Sequence, residues 1–190
     1  MKSRIDSVKI HLNEISNVIS KPWFGVFSFT LLIAIAAQVT IPVKPVPITL
    51  QTMVVGLAGA ILGARKGAYS MGLYLALGAT GLPLFAAVPD APLGIARFFS
   101  TTGGYLLAFP LGALAAGLIA ERYSNYAGIV AAMFAANFVV ILSGALFLDA
   151  FFINNLSETL KIHAALFSLP TVIKVIAGTA LYFGLKSVKK

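Results

Sequence analysis

Six long apolar stretches separated by short connections dominate the amino-acid sequence. A transmembrane helix needs about 20 consecutive, mostly apolar residues, and each stretch reaches or nearly reaches that length. The stretches cover residues 22–41, 48–64, 68–88, 102–120, 125–148 and 164–185. We therefore predict an all-α polytopic membrane protein with six transmembrane helices, of which the second is short and begins after a proline-containing bend.

Composition excludes the main soluble alternatives. Hydrophobic residues make up 59% of the 190 residues and charged residues only 11%, whereas soluble domains are about 25% charged. A solvated globular enzyme and a disordered chain are both excluded on these grounds. The sequence has no cysteine and two histidines, so we expect neither a disulfide framework nor a bound metal, and we predict no cofactor.

Residues 1–20 differ from the rest of the chain. Their larger aliphatic residues recur at steps of three and four, which places them on one face of a helix; they are Ile5, Val8, Leu12, Ile15 and Ile19. Basic residues lie off this stripe, as in helices that lie in the membrane interface. We predict an amphipathic interfacial leader over 1–20 and a six-helix transmembrane domain over 21–190; the alternative is a plain basic leader.

The basic residues predict the orientation of the chain. An even number of spans puts both ends on one side, and that side carries ten lysines and arginines against three on the other. The ten are Lys2, Arg4, Lys9, Lys21, Arg65, Lys66, Arg122, Lys186, Lys189 and Lys190, and the three are Lys44, Arg97 and Lys161. Because basic residues concentrate in cytoplasmic loops, we predict that both ends are cytoplasmic, in a cell membrane.

Motifs for catalysis and nucleotide binding are absent. The sequence has no GxxxxGK[ST] loop for ATP phosphates, no GxSxG and no HExxH. We predict a transport protein rather than an enzyme.

Two charged residues in apolar surroundings are candidates for ligand binding. Lys174 lies within the last apolar stretch, where a lysine costs roughly 2.5–3.5 kcal/mol on insertion scales. The alternatives to a ligand role are a snorkelling side chain or a silent pair with Asp149. Asp149 itself is either an acceptor for a polar ligand or the counter-ion of Lys174. Arg97, in an apolar outer loop, suits a carboxylate, or else a lipid phosphate.

Uncharged polar residues near the outer ends of the spans complete the candidate set. Thr49 and Gln51 follow a proline-rich bend, and irregular backbone at membrane depth is tolerated where it lines a cavity. Tyr105 follows a similar polar segment at the start of the fourth stretch. Asn137 is an amide within the fifth, with an interhelical hydrogen bond as the alternative. Together these residues predict an outward-facing pocket for a small amphipathic acid.

Four segments in order along the chain resemble the BioY family, the biotin-specific substrate-binding (S) component of energy-coupling-factor (ECF) transporters. They are Pro45-Val-Pro-Ile-Thr-Leu-Gln-Thr52, Leu62-Gly-Ala-Arg-Lys-Gly-Ala68, Tyr74-Leu-Ala-Leu-Gly-Ala-Thr-Gly-Leu-Pro83 and Thr102-Gly-Gly-Tyr-Leu-Leu-Ala-Phe109. The resemblance implies a six-helix protein that captures biotin from outside. It also implies two kinds of partner: a transmembrane coupling protein, which small residues near Ala34 and Ala37 would face, and two cytoplasmic ATPases.

The sequence departs from the family at the last span. The family usually carries an aspartate three residues before the lysine that aligns with Lys174, and Thr171 stands there instead. An aspartate is a natural acceptor for the ureido N–H pair of biotin. We therefore keep as alternatives the same fold binding a biotin precursor or another small carboxylate, and a stand-alone secondary carrier.

Overall fold

The computed structural model describes residues 23–89 and 91–188 and is 77% helical. Within these residues the helices are α1 (Phe24–Gln38), α2 (Gln51–Leu62), α3 (Ala64–Ala79), α4 (Gly103–Leu107), α5 (Phe109–Arg122), α6 (Tyr126–Leu148), α7 (Leu156–Phe167) and α8 (Leu169–Val188). The leader predicted over residues 1–20 lies outside the described part of the chain.

Each of the six predicted spans overlaps one long helix, in order α1, α2, α3, α5, α6 and α8, and the fourth span also includes the short α4. Among the residues that the structure describes, three helical segments are long and apolar enough to cross a membrane: Gly103–Arg122, Tyr126–Ile153 and Leu169–Ser187. Helices α1 and α2 are apolar but shorter. A mostly helical protein with membrane-spanning character is therefore confirmed, while the six crossings and the orientation of the two ends stay predictions.

Short non-helical segments gather at one end of the bundle. Strands β1 (Thr40–Ile41) and β2 (Ile48–Thr49) pair antiparallel and form a small ribbon between α1 and α2. A 3-10 helix, Gly94–Phe99, precedes α4. The hydroxyl of Thr101 donates to the carbonyl of Pro45 at 3.1 Å, which ties the two segments together.

Gly63 separates α2 from α3. Its φ of 86° lies in a region that side-chain-bearing residues rarely adopt. The Glu121 carboxylate accepts a hydrogen bond from the Ala64 N–H at 2.7 Å, and a negative charge there stabilises the start of α3. The spans predict a connection at 65–67, but those residues belong to α3 because the chain turns at Gly63.

Helix α5 occupies the middle of the bundle and packs against α2, α3 and α6. Glycines make these crossings close: a Cβ at Gly59 would collide with the backbone of Ala113 in α5, and one at Gly117 with the backbone of Ala64. A Cβ at Gly72 would meet nothing within 4 Å. Gly59 and Gly117 therefore allow close packing between helices inside the bundle, whereas Gly72 does not lie at such a contact.

Helix α1 turns its alanines inward. Ala34 and Ala37 are only 8% and 0% exposed, because α1 packs this face against α2 and α3. The coupling-protein interface expected near Ala34 and Ala37 stays a prediction; the exposed side chains of α1 in this region are larger neighbours such as Leu31 and Ile35.

The connection predicted over 149–163 is largely structured. Residues Asp149–Ile153 widen the end of α6 into a π-helical turn, and α7 follows. The side chain of Asn155 caps α7 by accepting from the Glu158 N–H at 3.3 Å. Helix α7 contacts α6 and α8 and was missed by the sequence analysis.

Candidate ligand-binding site

A cavity opens at the end of the bundle that carries the ribbon and the 3-10 helix. Its wall is mainly apolar and is lined by Val46, Pro47, Ile48, Thr49, Gln51, Thr52, Phe85, Ala86, Arg97, Thr102, Tyr105, Leu106, Phe109, Val140, Ile141 and Lys174. The space open to the centre of a water-sized sphere is about 60 Å³, whereas one water needs roughly 10–15 Å³ on that measure. A small organic molecule, rather than one bound water, matches this space.

Arg97 brings a positive charge into this wall. The side chain is 3% exposed and donates from Nη2 to the carbonyl of Ala86 at 2.8 Å. Its buried Nε–H has no hydrogen-bond partner among the described residues. Burial lowers the pKa of the Arg97 guanidinium, but arginine stays protonated at neutral pH. This burial excludes the lipid-phosphate alternative and leaves a donor for an acidic ligand.

Lys174 supplies a second positive charge to the cavity wall. It lies in the second turn of α8, which begins at Leu169, so it is closer to the helix end than the apolar stretch suggested. Its Nζ donates to the hydroxyl of Thr52 in α2 at 3.4 Å. Asp149 does not neutralise it, because that carboxylate accepts from Thr159 instead, at 2.9 Å.

The Thr49–Gln51 segment is held by its own hydrogen bonds. Gln51 donates from Nε2 to the Tyr74 hydroxyl at 2.8 Å, and Tyr74 in turn donates to the carbonyl of Leu84 at 3.1 Å. Thr49 donates to Gln51 Oε1 at 3.1 Å. These bonds fix the amide in the wall while one amide hydrogen and one acceptor lone pair stay open to a ligand.

Two of the candidate residues do not line the cavity. Asp149 lies in the π-helical turn at the end of α6, and its carboxylate accepts a hydrogen bond from Thr159 of α7. Asn137 is fully buried in α6 and donates to the carbonyl of Met133, four residues earlier, at 2.9 Å. Its Oδ1 has no partner within the described part of the chain. The other five candidates, Thr49, Gln51, Arg97, Tyr105 and Lys174, converge on one cavity.

The charges in the cavity have one sign. Arg97 and Lys174 are its two cationic side chains, and its described lining includes no aspartate or glutamate. Two cations in a mainly apolar wall favour a ligand that has an anionic group and an otherwise uncharged body.

A comparison with protein families decides the identity. The model of the BioY family matches residues 9–190. The chain belongs to the BioY family. The BioY resemblance of the four sequence segments is thereby confirmed.

Individual BioY relatives are similar in sequence to this chain over most of their length. The biotin transporter BioY of Thermotoga maritima is 32% identical over 161 residues, covering 85% of this chain and 93% of the relative. The biotin transporter BioY2 of Lactococcus lactis is 34% identical over 160 residues, covering 83% and 85%. Both are transporters, which agrees with the prediction that this BioY chain is not an enzyme.

A solved structure shares the fold. The crystal structure of the S-component for biotin from an ECF-type ABC transporter superposes with a TM-score of 0.80 at 26% identity, covering 90% of this chain and 93% of the other. The architecture of this BioY chain is therefore that of an ECF S component.

Part of the BioY cavity lining is not predictable from the sequence. Thr52 and Thr102 lie within the quoted motifs, one residue after Gln51 and three residues before Tyr105, and both belong to the wall. Phe85 comes from the loop after α3 and packs edge-on against Tyr74, with ring centroids 5.5 Å apart. No local pattern indicates that this phenylalanine turns inward.

Proposed function

We propose that this chain is the membrane-embedded substrate-capture (S) component of an ECF vitamin importer and that it binds biotin in the cavity described above. The observation that carries the proposal is the pair of basic side chains, Arg97 and Lys174, in a cavity whose described lining is otherwise uncharged. The biotin transporters among its relatives and the biotin S-component with the same fold support this ligand.

The chemistry of biotin matches the lining. Its carboxylate pairs with Arg97 or Lys174, because hydrogen bonds between ions are the strong ones. Its ring system and aliphatic tail lie against the apolar wall. Its ureido group has N–H donors and a carbonyl acceptor, which meet the amide and hydroxyl groups of Gln51, Thr49 and Tyr105.

A second candidate ligand is a biotin precursor or another small carboxylate. It is favoured by Thr171, which stands where the family usually has an aspartate. Thr171 is buried and is not part of the cavity lining. A protein that lacks this carboxylate acceptor selects less strongly for ligands with the ureido group of biotin, while the two cations of the cavity still favour a ligand with an acidic group.

Calorimetry with the purified, folded chain in detergent tests the proposal. Biotin is titrated beside the precursor that lacks the sulfur-containing ring. Tight binding of biotin at one site, with weaker binding of the precursor, supports biotin as the ligand. Equal or tighter binding of the precursor favours the second candidate. No binding of either refutes biotin and the precursor as ligands and leaves another small carboxylate, which a panel of small acids then tests.

We also propose that the protein lies in the cell membrane with six spans and both ends in the cytoplasm, and that a transmembrane coupling protein with two cytoplasmic ATPases drives transport. A stand-alone secondary carrier is the alternative. Uptake into vesicles separates them: if uptake needs the coupling proteins and ATP, the ECF mechanism holds. Uptake without partners that collapses with an ionophore supports the carrier.

A further inference from the structure

Helix α7 reaches the cavity through one hydrogen-bonded side chain. Tyr105 belongs to the cavity wall, and its hydroxyl is hydrogen-bonded to Nε2 of His163 in α7. The two rings are nearly parallel, with an interplanar angle of 2°. Both side chains are buried, His163 being 5% exposed. His163 itself does not line the cavity.

The partners of His163 assign its protons. Its Nδ1 lies 2.6 Å from the backbone carbonyl of Thr159, and a carbonyl oxygen can only accept a hydrogen bond. Nδ1 therefore carries the proton. In a neutral imidazole the other nitrogen is then an acceptor, so the Tyr105 hydroxyl donates to His163 and keeps its lone pairs for another donor.

The other side of α7 is anchored to the end of α6. The hydroxyl of Thr159 donates to Oδ1 of Asp149 at 2.9 Å, and Thr159 is buried. The Tyr105 ring lies directly on Gly144 of α6, where a Cβ would collide with the ring carbons. The phenol is thus held between α6 and α7, at the end of a chain of contacts from Asp149 through Thr159 and His163.

We propose that His163 is a positioning residue for substrate binding: it holds the Tyr105 phenol in the cavity wall and leaves the phenol oxygen as a hydrogen-bond acceptor for an N–H group of the ligand. Asp149 contributes indirectly: it accepts a hydrogen bond from Thr159, whose backbone carbonyl in turn binds His163. This inference rests on the proposed function, because the N–H donor it provides for is that of a ureido ligand. It gives α7 a part in recognition although no described α7 residue lines the cavity.

Calorimetry of biotin binding to a set of variants tests the role. His163→Ala is expected to weaken binding about tenfold, and Tyr105→Phe is expected to weaken it by a similar factor. The double variant is expected to lose no more affinity than the single variant that has the larger loss. His163→Gln, which retains a side-chain acceptor for the phenol, is expected to recover most of the affinity. Lys161→Ala, at an exposed position of the same helix, is the matched control and is expected to bind like the unmodified chain.

The outcomes separate this inference from the proposed function. If the unmodified chain does not bind biotin, the proposed function fails, and the positioning role fails with it. If the unmodified chain binds and His163→Ala binds equally well, only the positioning role is overturned. Losses that multiply in the double variant also overturn it, because residues that act through one contact are not additive. Thermal unfolding checks each variant, and if His163→Ala does not fold, His163→Leu, which fills more of the space but has no acceptor for the phenol, takes its place; it is expected to lose affinity relative to His163→Gln, and equal binding by these two variants overturns the role.

Discussion

At the scale of single residues, the open question is which cation receives the ligand carboxylate. Arg97 has a buried N–H without a partner among the described residues, whereas Lys174 already donates to Thr52. We therefore predict that Arg97 binds the carboxylate. Arg97→Gln should weaken biotin binding at least tenfold, since a charge-assisted hydrogen bond contributes about 1.5–3 kcal/mol. Lys174→Ala should also weaken binding at least tenfold, through a different part of the ligand.

Biotin methyl ester distinguishes the two roles in calorimetry. The unmodified chain and Lys174→Ala should prefer the free acid to the ester, whereas Arg97→Gln should bind both equally. Arg122→Gln, at an exposed position at the end of α5, is the matched control. Loss of the acid preference in Lys174→Ala but not in Arg97→Gln would assign the carboxylate to Lys174 instead.

Charged candidates were predictable from sequence because a charge in an apolar stretch requires compensation. Arg97 and Lys174 both stand out in this way, and both line the cavity. Asn137 could not be resolved in advance, since a buried amide can bond either a ligand or its own helix, as it does with Met133. Asp149 could not be placed either, because its partner Thr159 belongs to α7, a helix that hydropathy does not indicate.

At the scale of the helices, the close crossing of α2 and α5 predicts that glycine-to-alanine substitutions at two positions change the stability of the protein in opposite directions. In an isolated helix, Gly→Ala stabilises by roughly 0.5–1 kcal/mol. Gly72→Ala should therefore be neutral or stabilising, because its Cβ would meet nothing within 4 Å. Gly59→Ala should destabilise by about 1–3 kcal/mol, the range for overpacking, because its Cβ would collide with the α5 backbone.

Thermal unfolding of the two variants in detergent measures this difference. Gly59→Ala should unfold several degrees below Gly72→Ala, and the unmodified chain should lie between them or level with the latter. Equal unfolding temperatures for all three would contradict the close α2–α5 approach.

The helices themselves were predicted more reliably than their ends. Apolar length alone indicates a helix, because the membrane interior leaves backbone groups no other partners. The break at Gly63 depends on a positive φ and on Glu121, which is 57 residues from the N–H it accepts, and no local pattern reports such a contact. Helix α7 was missed because it is short and partly polar, and it is recognisable by its Asn155 cap rather than by hydropathy.

At the scale of the whole molecule, the cavity and the α2–α3 turn, which is followed by Arg65 and Lys66, lie at opposite ends of α2. The ribbon and the 3-10 helix form the cavity end, whereas the α2–α3 turn and the end of α5 meet at the other, where Glu121 binds the Ala64 N–H. The proposed orientation follows from the positive-inside rule, which assigns the second end to the cytoplasm. The cavity would then open outward, as capture of an external vitamin requires.

The absence of cysteine makes this orientation directly testable, because any introduced thiol is the sole label site. Exposed serines are available at both ends of the molecule: Ser157 in α7, Ser124 between α5 and α6, and Ser187 near the end of α8. In intact spheroplasts, a membrane-impermeant maleimide should label Ser157→Cys. It should label Ser124→Cys and Ser187→Cys only after permeabilisation. Labelling of Ser124→Cys and Ser187→Cys in intact spheroplasts would show that the orientation is the opposite of the proposed one. If only one of these two variants were labelled, the two positions would lie on opposite sides of the membrane, which would contradict two crossings by α6 and α8.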